Sequence, residues 1–360
     1  MKICVYAICK NEEKFIDRYM DSMSEADKVF VLDTGSMDAS VEKLKNRGAI
    51  VKEAKIEPFR FDKARNLSLD MVDLDADLCV CTDLDEVFEK GWRKKLEQVY
   101  KKGMMRIRYP YIWNFNEYNQ PGFSFYLDKI HVRKGYKWVF PVHEVLKRYK
   151  DEKECFGVCD NIVLKHYADN TKSRAFYLPL LELAVKEDKK DDRNRHYLGR
   201  EYIFRGMYEK AIKTLKAHLR LKRATWKEER AASMRFIARC YFLLKKNKLA
   251  KRWYKKAILE VDWVREGYTE LGMLYYKEKN YKDAISYLEQ ALKIIKKSNS
   301  YINEAFCFDG TIEDILSVCY FHKGDKEKAS LYVNKALLLK KEDKRILENK
   351  KIIEESLLER

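Results

Sequence analysis

Two periods alternate along the first half of the chain. Ile3-Cys4-Val5-Tyr6-Ala7-Ile8 is a continuous apolar run of strand length, and Lys28-Val29-Phe30-Val31-Leu32, Ala49-Ile50-Val51 and Leu78-Cys79-Val80-Cys81-Thr82 repeat the pattern. Helical spacings lie between them. Phe15, Ile16, Tyr19, Met20 and Met23 share one face of a helix over 12–23, Ser36 is placed to cap an amphipathic helix over 38–47, and 62–72 is a third. Strand, helix, strand, helix at this spacing predicts a parallel sheet with helices on its faces, and such sheets bind ligands outside the carboxyl ends of their strands.

The second half carries a repeat instead. Counting from Gly199, small or apolar residues recur at offsets 0, 12 and 19 with an aromatic at offset 3. The copies are Gly199, Tyr202, Ala211, His218; Ala238, Tyr241, Ala250, Ala257; Gly272, Tyr275, Ala284, Ala291; and Ser317, Tyr320, Ala329, Ala336. Offset 7 holds Gly206, Lys245, Lys279 and Gly324, where one helix should end and the chain turn. This spacing resembles the tetratricopeptide repeat, in which small side chains let paired helices approach closely. His218 departs from the pattern, and 345–360 is expected to be a capping helix. The reading is an α/β domain over 1–168 followed by an all-α repeat solenoid over 169–360.

Composition narrows the class. Five prolines and 13 glycines in 360 residues leave too few turns for an all-β fold, and 46% hydrophobic residues exclude a disordered or collagen-like chain. No apolar run reaches the length of a membrane span, and Met1–Ala7 leads into charge without a signal-peptide core, so the expectation is a soluble, cytoplasmic protein. Nine cysteines in mostly apolar settings read as reduced packing residues rather than a disulfide framework or a zinc site. The net charge of +17 is uneven, +2 over 1–168 and +15 over 169–360. A basic half suits nucleic acid, anionic lipid or an acidic peptide; a lysine-rich solvated helical surface is the favoured reading.

Chemistry concentrates in LCVCTDLDEVF, residues 78–88. An apolar strand ends there in three carboxylates, and in an extended segment Asp83 and Asp85 project to the same side. Hard oxygen donors at that edge suit a divalent cation that keeps water and bridges phosphates. The competing reading is the acidic first turn of a helix over 86–97. Neither a Gly-x-Gly-x-x-Gly nor a Gly-Lys-Ser loop is present, so a dinucleotide fingerprint and a P-loop are excluded. In Phe61-Asp62-Lys63-Ala64-Arg65-Asn66, Arg65 stands near a helix start within reach of a diphosphate and Asn66 can bind neighbouring backbone; a surface ion pair is the alternative for Arg65.

The ordered segments KNEEKFID, VLDTGSMDAS, FDKARN, TDLDE and WVFPVHEVL resemble the family-2 glycosyltransferases of GT-A fold. The likeness is best to those with tetratricopeptide repeats behind the catalytic domain, a group that includes peptide S-glycosyltransferases of bacteriocin clusters. The resemblance implies that the strand end from Ala7 to Asn11 and Asp33 contact the base and ribose, that Arg65 lies near the diphosphate and Asp83 near ribose and metal, and that Asp85 ligates Mg²⁺ or Mn²⁺. It places the catalytic carboxylate at Glu144 and a completing metal ligand at His166, with Glu86 able to share the role of Asp85. Trp113 and Trp138 are expected to stack on a sugar or to pack in the core, and His143 to orient Glu144. The expected activity is metal-dependent, inverting transfer from a nucleotide sugar, UDP-linked by preference, to Cys, Ser or Thr of a polypeptide held by the repeats. The alternatives are a glycan or nucleic-acid polymer on the basic half, nucleic acid being disfavoured, and a non-catalytic repeat adaptor. Self-association of the repeats into a homo-oligomer is compatible with this reading.

Overall fold

The computed structural model describes residues 1–115, 121–149, 153–169, 176–298 and 301–358. The chain divides into two compact units, Met1–Glu187 and Asp188–Arg360.

The first unit runs β1 (Ile3–Cys9), α1 (Ile16–Met23), β2 (Lys28–Asp33), α2 (Ser40–Asn46), β3 (Ile50–Glu53), α3 (Phe61–Met71), β4 (Leu78–Cys81), β5 (Glu86–Phe88), α4 (Trp92–Val99), β6 (Arg106–Ile112), β7 (Ser124–His131), β8 (Tyr136–Val139), β9 (Val145–Arg148), β10 (Phe156–Val158), β11 (Leu164–His166) and α5 (Tyr177–Glu187). Nine strands form one sheet in the order β3-β2-β1-β4-β7-β6-β11-β5, with β10 added on β6. The pairs β3–β2, β2–β1 and β1–β4 are parallel, and β7 is antiparallel to both β4 and β6. Strands β8 and β9 make a separate hairpin.

The apolar runs are continuous because both sheet faces are covered. Along β1, Ile3, Val5, Ala7 and Cys9 enter one core while Cys4 and Tyr6 enter the other; on β4, Leu78 and Val80 face the first and Cys79 and Cys81 the second. Burial pushes the Cys79 thiol up to about 12 and Cys81 up to about 11, which makes them inert packing residues.

Two local expectations give way. The helix expected over 86–97 begins only at Trp92, because Glu86–Phe88 pairs antiparallel with β11 and Gly91, at φ 86°, starts the helix in a left-handed conformation. Ser36 does not cap α2. Its hydroxyl accepts from the Asn11 N–H at 2.8 Å and donates to Asp33, so it ties together the loops after β1 and β2.

The second unit stacks α6 (Asp192–Phe204), α7 (Tyr208–His218), α8 (Lys227–Leu243), α9 (Asn247–Glu260), α10 (Arg265–Lys277), α11 (Tyr281–Lys293), α12 (Thr311–His322) and α13 (Lys326–Leu339) as four antiparallel pairs, followed by α14 (Lys344–Leu358). The repeat positions sit at helix crossings. A Cβ on Gly199 would lie 2.4 Å from Leu215, and one on Gly272 would lie 2.6 Å from Leu288. His218 fits where a small residue was expected because its Nδ1 meets Ser233 Oγ at 2.9 Å and its Nε2 lies 3.3 Å from Glu229. Between α11 and α12 the chain returns across the first helices of the earlier pairs. Tyr301 stacks on Tyr197 of α6 and donates to Glu229 of α8, and Glu304 is held by Arg235 and Arg239 of α8.

All four offset-7 residues have positive φ: Gly206 at 70°, Lys245 at 60°, Lys279 at 58° and Gly324 at 80°. A left-handed backbone costs a β-carbon residue about 1 kcal/mol that glycine avoids. Lys245→Gly and Lys279→Gly should therefore each raise stability by roughly 0.5–1 kcal/mol in urea unfolding, and Gly206→Ala should lower it by about 1 kcal/mol. Unmoved midpoints in both lysine variants would contradict the left-handed turn.

Candidate active site

The carboxyl ends of β1 and β4, the facing side of β6 and β7, the β8–β9 turn, β11 and α5 line one cleft of about 1330 Å³ in the first unit. That exceeds the roughly 300–1,000 Å³ of a site for one small ligand and leaves room for two reactants.

At its centre Arg65, on α3, is 2% exposed. Its Nε donates to Glu144 Oε1 at 3.1 Å, its Nη1 to the Thr82 carbonyl at 3.3 Å, and its Nη2 to Asp83 Oδ1. The guanidinium thus joins the strand-end acid to the carboxylate of the β8–β9 turn, instead of reaching outward as a free diphosphate contact. Burial would raise the Asp83 carboxyl, but the Arg65 and Lys129 charges hold it well below the usual range. Glu86 is turned inward, with Oε1 accepting from the Tyr111 hydroxyl and Oε2 from the Asp83 N–H, both at 2.8 Å. Its carboxyl is pushed up by burial, and both of its oxygens are engaged in holding the acidic loop.

Asp85 and His166 face each other, with Oδ2 3.2 Å from Nε2. The His166 Nδ1 lies 2.9 Å from the Trp113 carbonyl, which can only accept, so Nδ1 carries a hydrogen. The Trp113 ring lies 4.8 Å from the imidazole and is 47% exposed, presenting a face to the cleft.

Glu144 follows a tight turn in which Phe140, at φ 80°, and His143, at φ 49°, are left-handed. Such backbone costs about 1–3 kcal/mol per residue and persists only where the surroundings enforce it. Asn66 of α3 enforces it: its Oδ1 accepts from the Trp138 N–H at 2.8 Å and its Nδ2 donates to the Trp138 carbonyl at 2.9 Å. The Phe61 N–H adds a bond to the Pro141 carbonyl at 3.0 Å. Trp138 itself is 3% exposed and donates from Nε1 to the Tyr6 hydroxyl at 3.0 Å. It packs in the core and does not face a sugar. His143 lines the cleft with its ring 5.8 Å from that of Tyr177.

At the other end, Ile8–Glu12 and Thr34 line the cleft. Ala7 lies one step inside, fully buried in the sheet core. Asn11, at φ 54°, accepts from the Met37 N–H at 2.8 Å, linking the two loops. Asp33 is 1% exposed and accepts from the N–H groups of Gly35 and Ser36 at 2.8 and 2.9 Å, so its carboxylate shapes its own loop.

Residues 4–170 match the glycosyl transferase family 2 model. That match supports a glycosyltransferase, and it covers the unit that holds the cleft. Residues 265–298 match the tetratricopeptide repeat, spanning α10 and α11, so a family-2-type sheet domain is followed by a helical repeat region. Comparison with curated proteins gave no match. Solved structures similar to this chain include MamA protein (20% identity, 47% of this chain and 83% of that chain, TM-score 0.36). Also similar are YrrB, a TPR protein with an unusual peptide-binding site (18%, 48% and 81%, 0.37), and pilF of Pseudomonas aeruginosa (17%, 47% and 70%, 0.38). At these scores the likenesses carry no argument about this chain.

Among the ionic residues that line the cleft, Lys129 is one that the sequence does not mark out. Lys129 stands on β7 with Phe125 and Leu127, all three lining the cleft; the available signal was a lysine in phase with an apolar stripe. For a divalent cation, Asp85 and His166 are the fitting donors. Nδ1 is fixed by a backbone carbonyl, the arrangement that aims the other nitrogen of a metal-bound histidine. Among the described residues no group of three or more His, Cys, Asp or Glu forms a closed cage, so these two residues fit a cation that takes its remaining oxygens from water and substrate.

Burial opposes a charged imidazole at His166, but the Asp85 hydrogen bond and charge prevail and raise it to about 9. The stability owed to this pair is complete below about 6.5, the ordinary imidazole value, and is lost as pH rises through about 9. The melting-temperature loss in His166→Ala should be largest near pH ~6 and shrink toward pH ~10 in metal-free buffer. A loss that stays constant would show that the ring packs there without carrying charge.

Proposed function

We propose that the protein is a metal-dependent, inverting glycosyltransferase that moves a sugar from a nucleoside diphosphate, UDP by preference, to a Cys, Ser or Thr side chain of a polypeptide. The observation that carries this reading is that Glu144 and the Asp85–His166 pair border one cleft, in which Arg65 also ties Glu144 to Asp83 of the same acidic strand end. The family-2 match over the same residues supports it. A glycosidic carbon seated between a leaving diphosphate and a carboxylate needs only one base for direct displacement.

Arg65 binds Oε1 of Glu144, and among the described residues Oε2 has no hydrogen-bond partner, which leaves that oxygen for an acceptor. Glu144 Oε2 takes the acceptor's proton as its sulfur or oxygen bonds to the anomeric carbon from the face opposite the diphosphate. The bond from that carbon to the phosphate oxygen breaks with its electron pair on the phosphate, so configuration inverts. A cation at Asp85 and His166 would supply positive charge for the departing diphosphate. Trp113 offers an exposed ring face for a sugar. An adaptor without catalysis is disfavoured, because Glu144, Asp83 and Arg65 are costly to hold together in a cleft with no chemistry to perform.

Asp85→Ala and Glu144→Gln should separate the two roles. Asp85→Ala should weaken UDP binding in Mn²⁺ about tenfold or more, whereas Glu144→Gln should leave binding nearly intact and slow transfer by roughly 10²–10⁴-fold. Equal binding losses would contradict the assignment. A panel of UDP-, GDP- and TDP-sugars with Mn²⁺ or Mg²⁺, followed for slow nucleotide release without acceptor, should show release from a UDP-sugar. Silence across the whole panel would overturn the donor class.

A further inference from the structure

The charged groups deep in the cleft, around the end of β4, are largely matched to one another. Glu144 is bound by Arg65, Asp85 by His166, and Glu86 by Tyr111 and a backbone N–H. Arg65 bonds Asp83 through Oδ1. Lys129 Nζ lies 3.7 Å from Asp83 Oδ2, too far for a hydrogen bond, and among the described residues this is its only ion pair. The side chain is 20% exposed and lines the cleft beside Phe125 and Leu127 on an otherwise apolar strip of β7, with three N–H donors on its ammonium. Lys10, which also lines the cleft, is exposed.

We infer that Lys129 is the side-chain cation that grips the donor's diphosphate, the place expected of Arg65 from the family resemblance. The inference rests on the nucleotide-sugar reading above. Arg65 is buried and spent on two carboxylates, so it serves as a positioning residue. Lys129 is adjacent to the same acidic strand end and has donors to give. As the sugar–phosphate bond breaks, its electron pair stays on the terminal phosphate oxygen, and Lys129 donates a hydrogen bond to that oxygen without surrendering its proton. A partly enclosed ammonium acts there with less dielectric screening than one in water, and it need not move as the charge develops. Burial opposes its charge, but Glu86 and Asp83 raise its pKa, so it is ammonium at working pH.

Titration calorimetry in Mn²⁺ with UDP and with uridine tests this on the full chain and on Lys129→Met. The expected result is a loss of tenfold or more in UDP affinity with uridine affinity within about twofold, and recovery of most UDP affinity in Lys129→Arg. Lys129→Gln, which keeps a donor without charge, replaces the methionine variant should that one not fold. Unchanged UDP affinity overturns the inference, and equal loss of UDP and uridine reduces Lys129 to a structural ion. If the unaltered protein binds neither UDP, GDP, ADP nor TDP, the nucleotide reading falls and the inference with it; loss of the inference alone requires that the unaltered protein bind one of them.

Discussion

A single buried guanidinium organises the cleft of the first unit. Arg65 is enclosed by α3, the end of β4 and the β8–β9 turn, and it is tolerable there only because Asp83 and Glu144 share its charge. Removing either carboxylate leaves a buried guanidinium short of compensating charge, so the three residues behave as one unit. The consequence is geometric. Glu144 stands on a turn with two left-handed residues, and Arg65 together with the Asn66 clamp on Trp138 is what holds that turn against the sheet. One helix, α3, therefore supplies both the ionic and the backbone restraint on the carboxylate assigned as base.

The first four strands were legible because a sheet covered on both faces leaves unbroken apolar runs, and the edge carrying TDLDE was legible because parallel strands end together. Individual side-chain roles were less so. Arg65, Asp33 and Trp138 have the residue types that meet a nucleotide or a sugar, but partner choice is tertiary. Arg65 turns toward carboxylates 18 and 79 residues away, Asp33 closes its own loop, and Trp138 meets the Tyr6 hydroxyl across the sheet. Glu86 joined a strand rather than a helix because β11, some 80 residues later, offered it an antiparallel partner. Lys129 escaped notice for a related reason: β7 lies beside β4 only after the chain reverses direction.

The helical unit shows the opposite balance. Its repeat is set by local sterics, small residues at crossings and left-handed residues at turns, so spacing alone located four helix pairs. What spacing did not reveal is that Tyr301 and Glu304 cover part of the first-helix face of the earlier pairs, a constraint on any peptide that would use that face. Part of the unit's basic excess is also spoken for. Lys251 lies 4.6 Å from the Tyr275 ring, Lys277 4.8 Å from Phe242 and Lys328 4.9 Å from Tyr320, where ammonium groups cover aromatic faces. Such lysines pack on the fold's own surface.

The central claim of the proposal is that Asp85 and His166 hold a cation against the donor's diphosphate. Anomalous scattering at the manganese edge, from crystals grown with Mn²⁺ and UDP, tests it most directly. The account predicts one strong peak between Asp85 and the His166 Nε2, at coordination distances of about 2.0–2.3 Å, with phosphate oxygens completing the shell. UDP bound in the cleft with manganese elsewhere, or with Asp85 and His166 still paired only to each other, would contradict it.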